Sequence, residues 1–124
     1  MNIRLKILLV FILILITIHF IYVFFVPFQI KMYREIEIGN KIIIEINNYF
    51  SENEKYPEDN DWKTIEYIYR STFLNSEIEF NESTQPYFKR INNEFILQYI
   101  YGFDPPYLFY FSKTNEWEYG YPPY

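Results

Sequence analysis

The stretch at residues 7–28, ILLVFILILITIHFIYVFFVPF, decides how the chain is organised. Only Thr17, His19 and Pro27 interrupt its apolar and aromatic character over 22 residues. Because a helix rises about 1.5 Å per residue, this run would span about 33 Å, enough to cross a hydrocarbon core of roughly 30 Å. The sequence therefore predicts a membrane-spanning helix, with membrane lipid as its first partner.

The flanks of this run indicate an uncleaved signal-anchor rather than a cleaved signal peptide. A signal peptide has an apolar core of about 7–15 residues followed by small residues, whereas this run is longer and closes on VPFQ at residues 26–29. Positive charges are nearly balanced across it, and a short N-terminal tail is easily retained in the cytoplasm. We expect a single-pass protein of the inner (cytoplasmic) membrane, with a cytoplasmic tail at 1–6, a transmembrane segment at 7–28 and an extracytoplasmic domain at 29–124.

The composition excludes several kinds of site. The 124-residue chain has no cysteine and one histidine, so disulfides, thiolate sites and multi-histidine metal sites are excluded. The net charge of −5 argues against nucleic acid as a partner. Three widely separated glycines leave no phosphate-cradling loop. We predict no catalytic residue, no cofactor and no metal site, and a protein that is not an enzyme.

Two helices are predicted after the apolar run. Across residues 30–53, apolar side chains recur at three- and four-residue steps, which is typical of an amphipathic helix. We expect it to continue from the transmembrane segment, with Pro27 as the residue able to kink it. Its predicted apolar stripe consists of Ile42, Ile43, Ile46, Tyr49 and Phe50. After Tyr56-Pro57, Asp61 can cap a short second helix, whose predicted buried side consists of Trp62, Ile65, Ile68 or Tyr69, and Phe73.

Strand patterns follow in the C-terminal third of the chain. Residues 77–81 and 94–101 alternate in the manner of strands, and residues 86–90 form a weaker candidate. Residues 107–112 and 117–119 flank a polar turn and predict a hairpin. The predicted fold class is α+β: an N-terminal transmembrane helix continuing into a long amphipathic helix, a short second helix, then a small antiparallel β-meander packed on the helix.

Residues 49–57, YFSENEKYP, add a motif to this architecture. A Tyr near the end of the long helix, a short acidic stretch with Asn and Gly, and then Tyr-Pro is a frequent signature of pseudopilins. Tyr49 and Tyr56-Pro57 reproduce that spacing, with Glu54 where Gly is common. The chain thus resembles the type IV pilin-like family, particularly the pseudopilins of type II secretion. The resemblance covers residues 30–120 as architecture and implies a sheet packed on the upper half of the long helix.

The N-terminal part of the sequence departs from the pseudopilin pattern. Family members carry a leader ending in Gly before a Phe and a Glu a few residues into the apolar segment. In this sequence the run 7–28 contains no acidic residue, and no glycine precedes it. The resemblance therefore implies the fold rather than a role in pilus assembly.

Carboxylates form the one dense group of chemically active side chains. The turn at 52–61 holds Glu52, Glu54, Glu58, Asp59 and Asp61. Calcium takes six to eight oxygen ligands, but no EF-hand spacing follows, so a solvated turn is the preferred interpretation and a cation site the alternative. Glu77 and Glu79 lie about 7 Å apart on one predicted strand face, as many exposed strand pairs do and as a glycosidase pair would.

Aromatic residues crowd the last quarter of the chain. Thirteen of the 14 tyrosines lie outside the apolar run. Tyrosine and tryptophan combine a large contact area with a polar tip, which suits an interface, but they can also fill a small core. We expect most of them to fill the core. The predicted partner-binding residues are Tyr107, Trp117, Tyr119 and Tyr121.

The predicted function is protein–protein contact at the bacterial cell envelope, with an unknown protein partner. An alternative is a membrane-anchored immunity protein that neutralises a toxin, because residues 29–124 carry a net charge of −7 beside their aromatic surface. A pilus or type II secretion subunit is a third hypothesis. An envelope enzyme is the fourth, disfavoured by the missing nucleophile, base and metal set.

Overall fold

The computed structural model describes residues 1–74, 85–100 and 102–122, and it divides the chain into two compact units, Met1–Tyr33 and Arg34–Tyr124. The described residues form helices and one antiparallel sheet, which confirms the predicted α+β class with a β-meander. The helices are α1 (Ile3–Phe25), α2 (Phe28–Lys31), α3 (Tyr33–Asn53) and α4 (Trp62–Phe73). The strands are β1 (Tyr87–Ile91), β2 (Glu94–Tyr99), β3 (Tyr107–Phe111) and β4 (Glu116–Gly120).

Helix α1 carries the predicted membrane span. No residue of α1 is buried, and it is the one helix among the described residues that is long and apolar enough to cross a membrane. It begins before the run 7–28, since the Asn2 side chain accepts a hydrogen bond from the Arg4 amide and caps it. It ends at Phe25 because Val26 precedes a proline and takes an extended backbone. The first unit is thus compatible with a single-pass membrane anchor.

The helix predicted to continue from this segment, with a kink at Pro27, is interrupted at Val26-Pro27 and again at Met32. Pro27 has no N–H to offer the Val23 carbonyl one turn before it. Lys31 replaces the missing donor: its Nζ lies 2.9 Å from the Val23 carbonyl oxygen and 5.2 Å from the centre of the Tyr22 ring. A proline therefore separates the first two helices, and a lysine side chain satisfies the carbonyl that it leaves open.

Helix α3 opens the second unit and supplies one wall of its core. The predicted stripe is buried at Ile42, Ile43 and Ile46, and the burial extends back to Ile38 and Gly39. Tyr49 packs partly against the core, whereas Phe50 is exposed. The helix ends where Glu54 takes a left-handed backbone (φ 59°) and its amide donates to the Phe50 carbonyl at 2.7 Å.

Helix α4 is capped as predicted. The Asp61 side chain accepts hydrogen bonds from the Thr64 amide and hydroxyl, at 3.3 and 2.6 Å. Its buried side consists of Ile65, Ile68, Tyr69 and Phe73. Trp62, predicted on that side, is 59 % exposed. It lies on the first turn, one turn before the first buried residue, and this corrects its predicted place in the core.

The sheet has the order β1-β2-β3-β4, with every neighbouring pair antiparallel. The strands predicted at 86–90, 94–101, 107–112 and 117–119 are therefore confirmed, with ends shifted by a residue or two. The strand predicted at 77–81, with Glu77 and Glu79, lies outside the described residues. Phe88, Phe95, Leu97 and Tyr110 join the helices in one core, while Ile96 and Phe109 are buried on the opposite face of the sheet.

Candidate interaction sites

Trp117, one of the four predicted binding residues, is committed to packing within the domain. Its indole covers Gly39, where an added Cβ would lie 2.3 Å from two ring atoms. Its Nε1 donates to the Asn40 side-chain oxygen at 2.8 Å, and its ring centre lies 5.5 Å from that of Tyr110. The side chain therefore joins β4 to α3 and is partly buried against the core.

The other three predicted residues gather at one end of the sheet. Tyr107 pairs with Gly120, and Tyr121 continues β4 beyond that pair. Tyr107 is half-buried and its hydroxyl donates to the Phe103 carbonyl at 2.9 Å. Tyr119 is exposed, and Tyr121 is 78 % exposed. The structure thus brings Tyr107 and Tyr121 together at the end where β2 gives way to the β2–β3 loop.

Sequence reasoning missed two apolar residues at this end. Ile100 directly follows β2 and is exposed, and Phe103 in the β2–β3 loop is fully exposed, at 101 %. The signal for Phe103 was present in the sequence: a loop of Gly102, Asp104 and two prolines offers a phenylalanine no strand face on which to bury itself. We call Ile100, Phe103, Tyr107 and Tyr121 the aromatic end of the sheet.

A second candidate site is a cleft between the start of α4 and β1. Its volume is about 420 Å³, within the usual range of ligand-binding clefts. Buried apolar side chains form its floor, chiefly Ile65, Tyr69 and Phe88, and the exposed rings of Trp62 and Tyr87 stand at its rim. The remaining lining residues are Glu66, Arg70, Gln85 and Pro86. We call this the α4–β1 cleft.

A hydrogen bond joins the two walls of the α4–β1 cleft. The Tyr69 hydroxyl donates to the Pro86 carbonyl at 2.7 Å, which ties α4 to the chain entering β1. Burial raises the pKa of Tyr69 well above its usual value, so this phenol stays protonated as a donor. At the rim, Arg70 pairs with Glu66 at 2.8 Å on the exposed side of α4. The cleft thus combines a fixed apolar floor with one ion pair and two accessible aromatic rings.

The predicted acidic turn is used mainly for structure. Asp61 caps α4, and the hydrogen bonds from Thr64 hold its pKa below its usual value. The Asp59 carboxylate accepts from the Arg90 amide, and Glu58 forms an ion pair with the Arg90 guanidinium. Among the described residues, no group of three or more acidic or histidine side chains is placed to hold a metal ion. Three of the five carboxylates in the turn therefore have partners inside the domain.

Neither Trp62 nor Tyr87 was predicted as a site residue. The sequence places Trp62 in a predicted helix and Tyr87 in a predicted strand, and the cleft forms only because α4 and β1 come together in the fold. The comparisons offer no precedent for either site: no protein-family model, no curated protein and no solved structure matches this chain.

Proposed function

We propose that this chain is a single-pass protein of the bacterial cytoplasmic membrane whose extracytoplasmic, pilin-like domain binds a protein partner at the envelope. The observation that carries the binding role is the α4–β1 cleft, where Trp62 and Tyr87 stand exposed over an apolar floor. Aromatic anchors that meet a partner in such a setting commonly dominate binding energy. The occupant would be an apolar or aromatic side chain projecting from the partner.

Membrane anchoring is supported by α1. Its apolar side chains are exposed along its entire length, and in water such a surface would drive aggregation. Fractionation tests this step: the full chain should resist extraction from membranes by alkaline carbonate. Because the chain has no cysteine, orientation can be read from one introduced thiol. Thr114→Cys should react with a membrane-impermeant maleimide in intact spheroplasts, whereas a thiol labelled only after lysis would reverse the proposed orientation.

Binding rather than catalysis is supported by what lines the cleft. Its polar side chains are an Arg70–Glu66 ion pair, Gln85, and a tyrosine hydroxyl already bonded to the Pro86 carbonyl. An arginine–carboxylate pair can orient a polar group of a partner at the rim, while the floor receives an apolar side chain. The cleft therefore suits recognition of one projecting side chain by shape and desolvation.

Site-specific photocrosslinking in the native host tests the binding role. Benzoylphenylalanine at position 62 or 87 should give the same discrete adduct with one envelope or secreted protein. The matched control is position 67, because Tyr67 lies on α4 and is 73 % exposed but does not line the cleft. A toxin in the adduct would favour the immunity alternative, and a stoichiometric secretion component would favour the subunit hypothesis.

Affinity measurements with the captured partner complete the test. Trp62→Ala should weaken binding about tenfold or more, the loss typical of an interface anchor, while Tyr67→Ala should leave binding unchanged. Because Trp62 is largely exposed, its removal should leave the folded domain intact, which circular dichroism checks. Equal adducts at positions 62, 67 and 87, or no effect of Trp62→Ala on affinity, would overturn the assignment of the cleft.

A further inference from the structure

The aromatic end presents apolar side chains to solvent without packing them. Phe103 is fully exposed, Tyr121 is 78 % exposed, and Ile100 is more than half exposed. The backbone at Phe103 is connected to the start of β3, because the Tyr107 hydroxyl donates a hydrogen bond to the Phe103 carbonyl at 2.9 Å. An apolar side chain held outward in this way indicates an apolar surface beyond the domain.

Contacts along α3 show toward which end of this helix the aromatic end lies. Near the end of α3, the Phe50 ring lies 4.6 Å from Tyr56, whose ring lies 4.9 Å from Phe95. Near its start, Gly39 lies under Trp117. Both β2 beyond Phe95 and β4 beyond Trp117 run toward the aromatic end. The aromatic end therefore lies toward the start of α3, away from the Tyr56 side of the domain.

The start of α3 is also where the chain is tethered to the apolar helix. Residues 26–32 alone separate α1 from α3, and seven residues reach at most about 25 Å when fully extended. A bilayer spanned by α1 is therefore within the reach of that side of the domain. Phenylalanine and tyrosine are among the side chains that favour the interfacial region of a bilayer.

We infer that the aromatic end is a lipid-contacting surface, and that Phe103 inserts its ring into the interface of the bilayer that α1 spans. The inference rests on the proposed membrane anchoring by α1. The residue that follows Phe103 in the sequence is Asp104, whose negative charge gives no attraction to anionic headgroups. The contact is therefore made by apolar burial, and it is independent of the content of anionic lipid.

Single-cysteine labelling of the full chain tests this surface, because the native chain has no cysteine. Phe103→Cys, labelled with a nitrobenzoxadiazole dye, is reconstituted into vesicles of phosphatidylethanolamine and phosphatidylglycerol. Its emission should shift to the blue, and spin-labelled lipid should quench it. Thr114→Cys is the matched control, since this exposed turn lies at the opposite end of the sheet, and the same dye there should stay in water. Tyr121→Cys should behave like position 103.

A third labelled position separates failure of this inference from failure of the anchor. The dye at Leu13→Cys, within α1, should show the strongest quenching by spin-labelled lipid. If position 13 is in lipid while positions 103 and 114 are equally in water, the lipid-contacting surface is overturned and the anchor stands. If position 13 is also in water, the membrane anchoring itself is overturned. Quenching at 103 that disappears without phosphatidylglycerol would overturn the apolar character of the contact.

Discussion

The indole of Trp117 covers Gly39 so closely that an added Cβ would lie 2.3 Å from two of its ring atoms. The same ring is fixed by the hydrogen bond from its Nε1 to Asn40, the next residue of α3. A glycine inside a helix costs about 1 kcal/mol relative to alanine. Here that cost is offset by the close approach of Trp117 on β4 to α3, which a residue without a side chain permits.

Gly39→Ala should therefore destabilise the domain despite alanine's higher helix propensity. Displacing the indole costs about 1–3 kcal/mol, as overpacking usually does, which exceeds the propensity gain. Urea unfolding of the full chain in detergent micelles, followed by tryptophan fluorescence, measures the change in free energy of unfolding. Gly120→Ala is the control, because nothing lies within 4 Å of a Cβ there. A stabilised Gly39→Ala variant would contradict the packing of Trp117 on α3.

Arg90 connects β1 to the turn before α4, and its removal should be costly for a surface residue. Its guanidinium donates to the Tyr56 carbonyl at 3.3 Å and to the Asn92 carbonyl at 2.9 Å, beside its ion pair with Glu58. Arg90→Ala should lower the free energy of unfolding by about 1–3 kcal/mol, since hydrogen bonds to a charged group are lost together. Lys113→Ala, in an exposed turn, should change it by less than about 0.5 kcal/mol. Equal effects of the two substitutions in urea unfolding would refute this role.

Glu54 occupies a backbone conformation that suits glycine. Its φ of 59° ends α3, and its amide closes the last turn on Phe50. Glu54→Gly should stabilise the domain by about 0.5–1 kcal/mol. A left-handed backbone costs an L-residue about 1–2 kcal/mol, and the larger conformational entropy that glycine loses on folding offsets part of the gain from removing that cost. Glu52→Gly is the control of opposite sign, since Glu52 lies in the last turn of α3 with a helical backbone, and the variant should lose up to about 1 kcal/mol of stability. Thermal unfolding of the two variants side by side distinguishes them, and destabilisation of both would contradict the left-handed cap.

The local elements could be predicted because each depends on neighbouring residues. The Asp61 cap and the helical stripe through Ile42 and Ile46 follow from side-chain spacing alone. The break at Met32 could not be predicted, because methionine is a good helix former and nothing beside it opposes a helix. Pro27 carried a clear signal, and the structure shows a full interruption there rather than a kink.

The candidate sites were less predictable because they depend on contacts between distant segments. Trp62 lies on the correct side of α4 for the core, yet the buried side begins one turn later, at Ile65. Trp117 is a predicted binding residue because tryptophan suits an interface, and only its position over Gly39 shows that it also packs against α3. A helix–strand contact between residues 39 and 117 leaves no periodic signature in either segment, so neither side of the contact could be inferred alone.

Alkaline pH should unfold the domain through its buried phenols. Burial raises the pKa of Tyr69 most, and it also raises the pKa values of Tyr56 and Tyr110. When a group has a higher pKa in the folded state, its full contribution to stability is present below its pKa in the unfolded state, which is about 10 for tyrosine. That contribution is lost as the pH rises above this value. The free energy of unfolding should therefore fall above about pH 10.

Tyr69→Phe should lower stability at neutral pH by about 1–2 kcal/mol, because the Pro86 carbonyl loses its donor, and it should flatten the alkaline decline. Tyr67→Phe, on the exposed side of α4, is the matched control and should retain the native pH profile. An alkaline decline as steep in Tyr69→Phe as in the native chain would show that another group controls it.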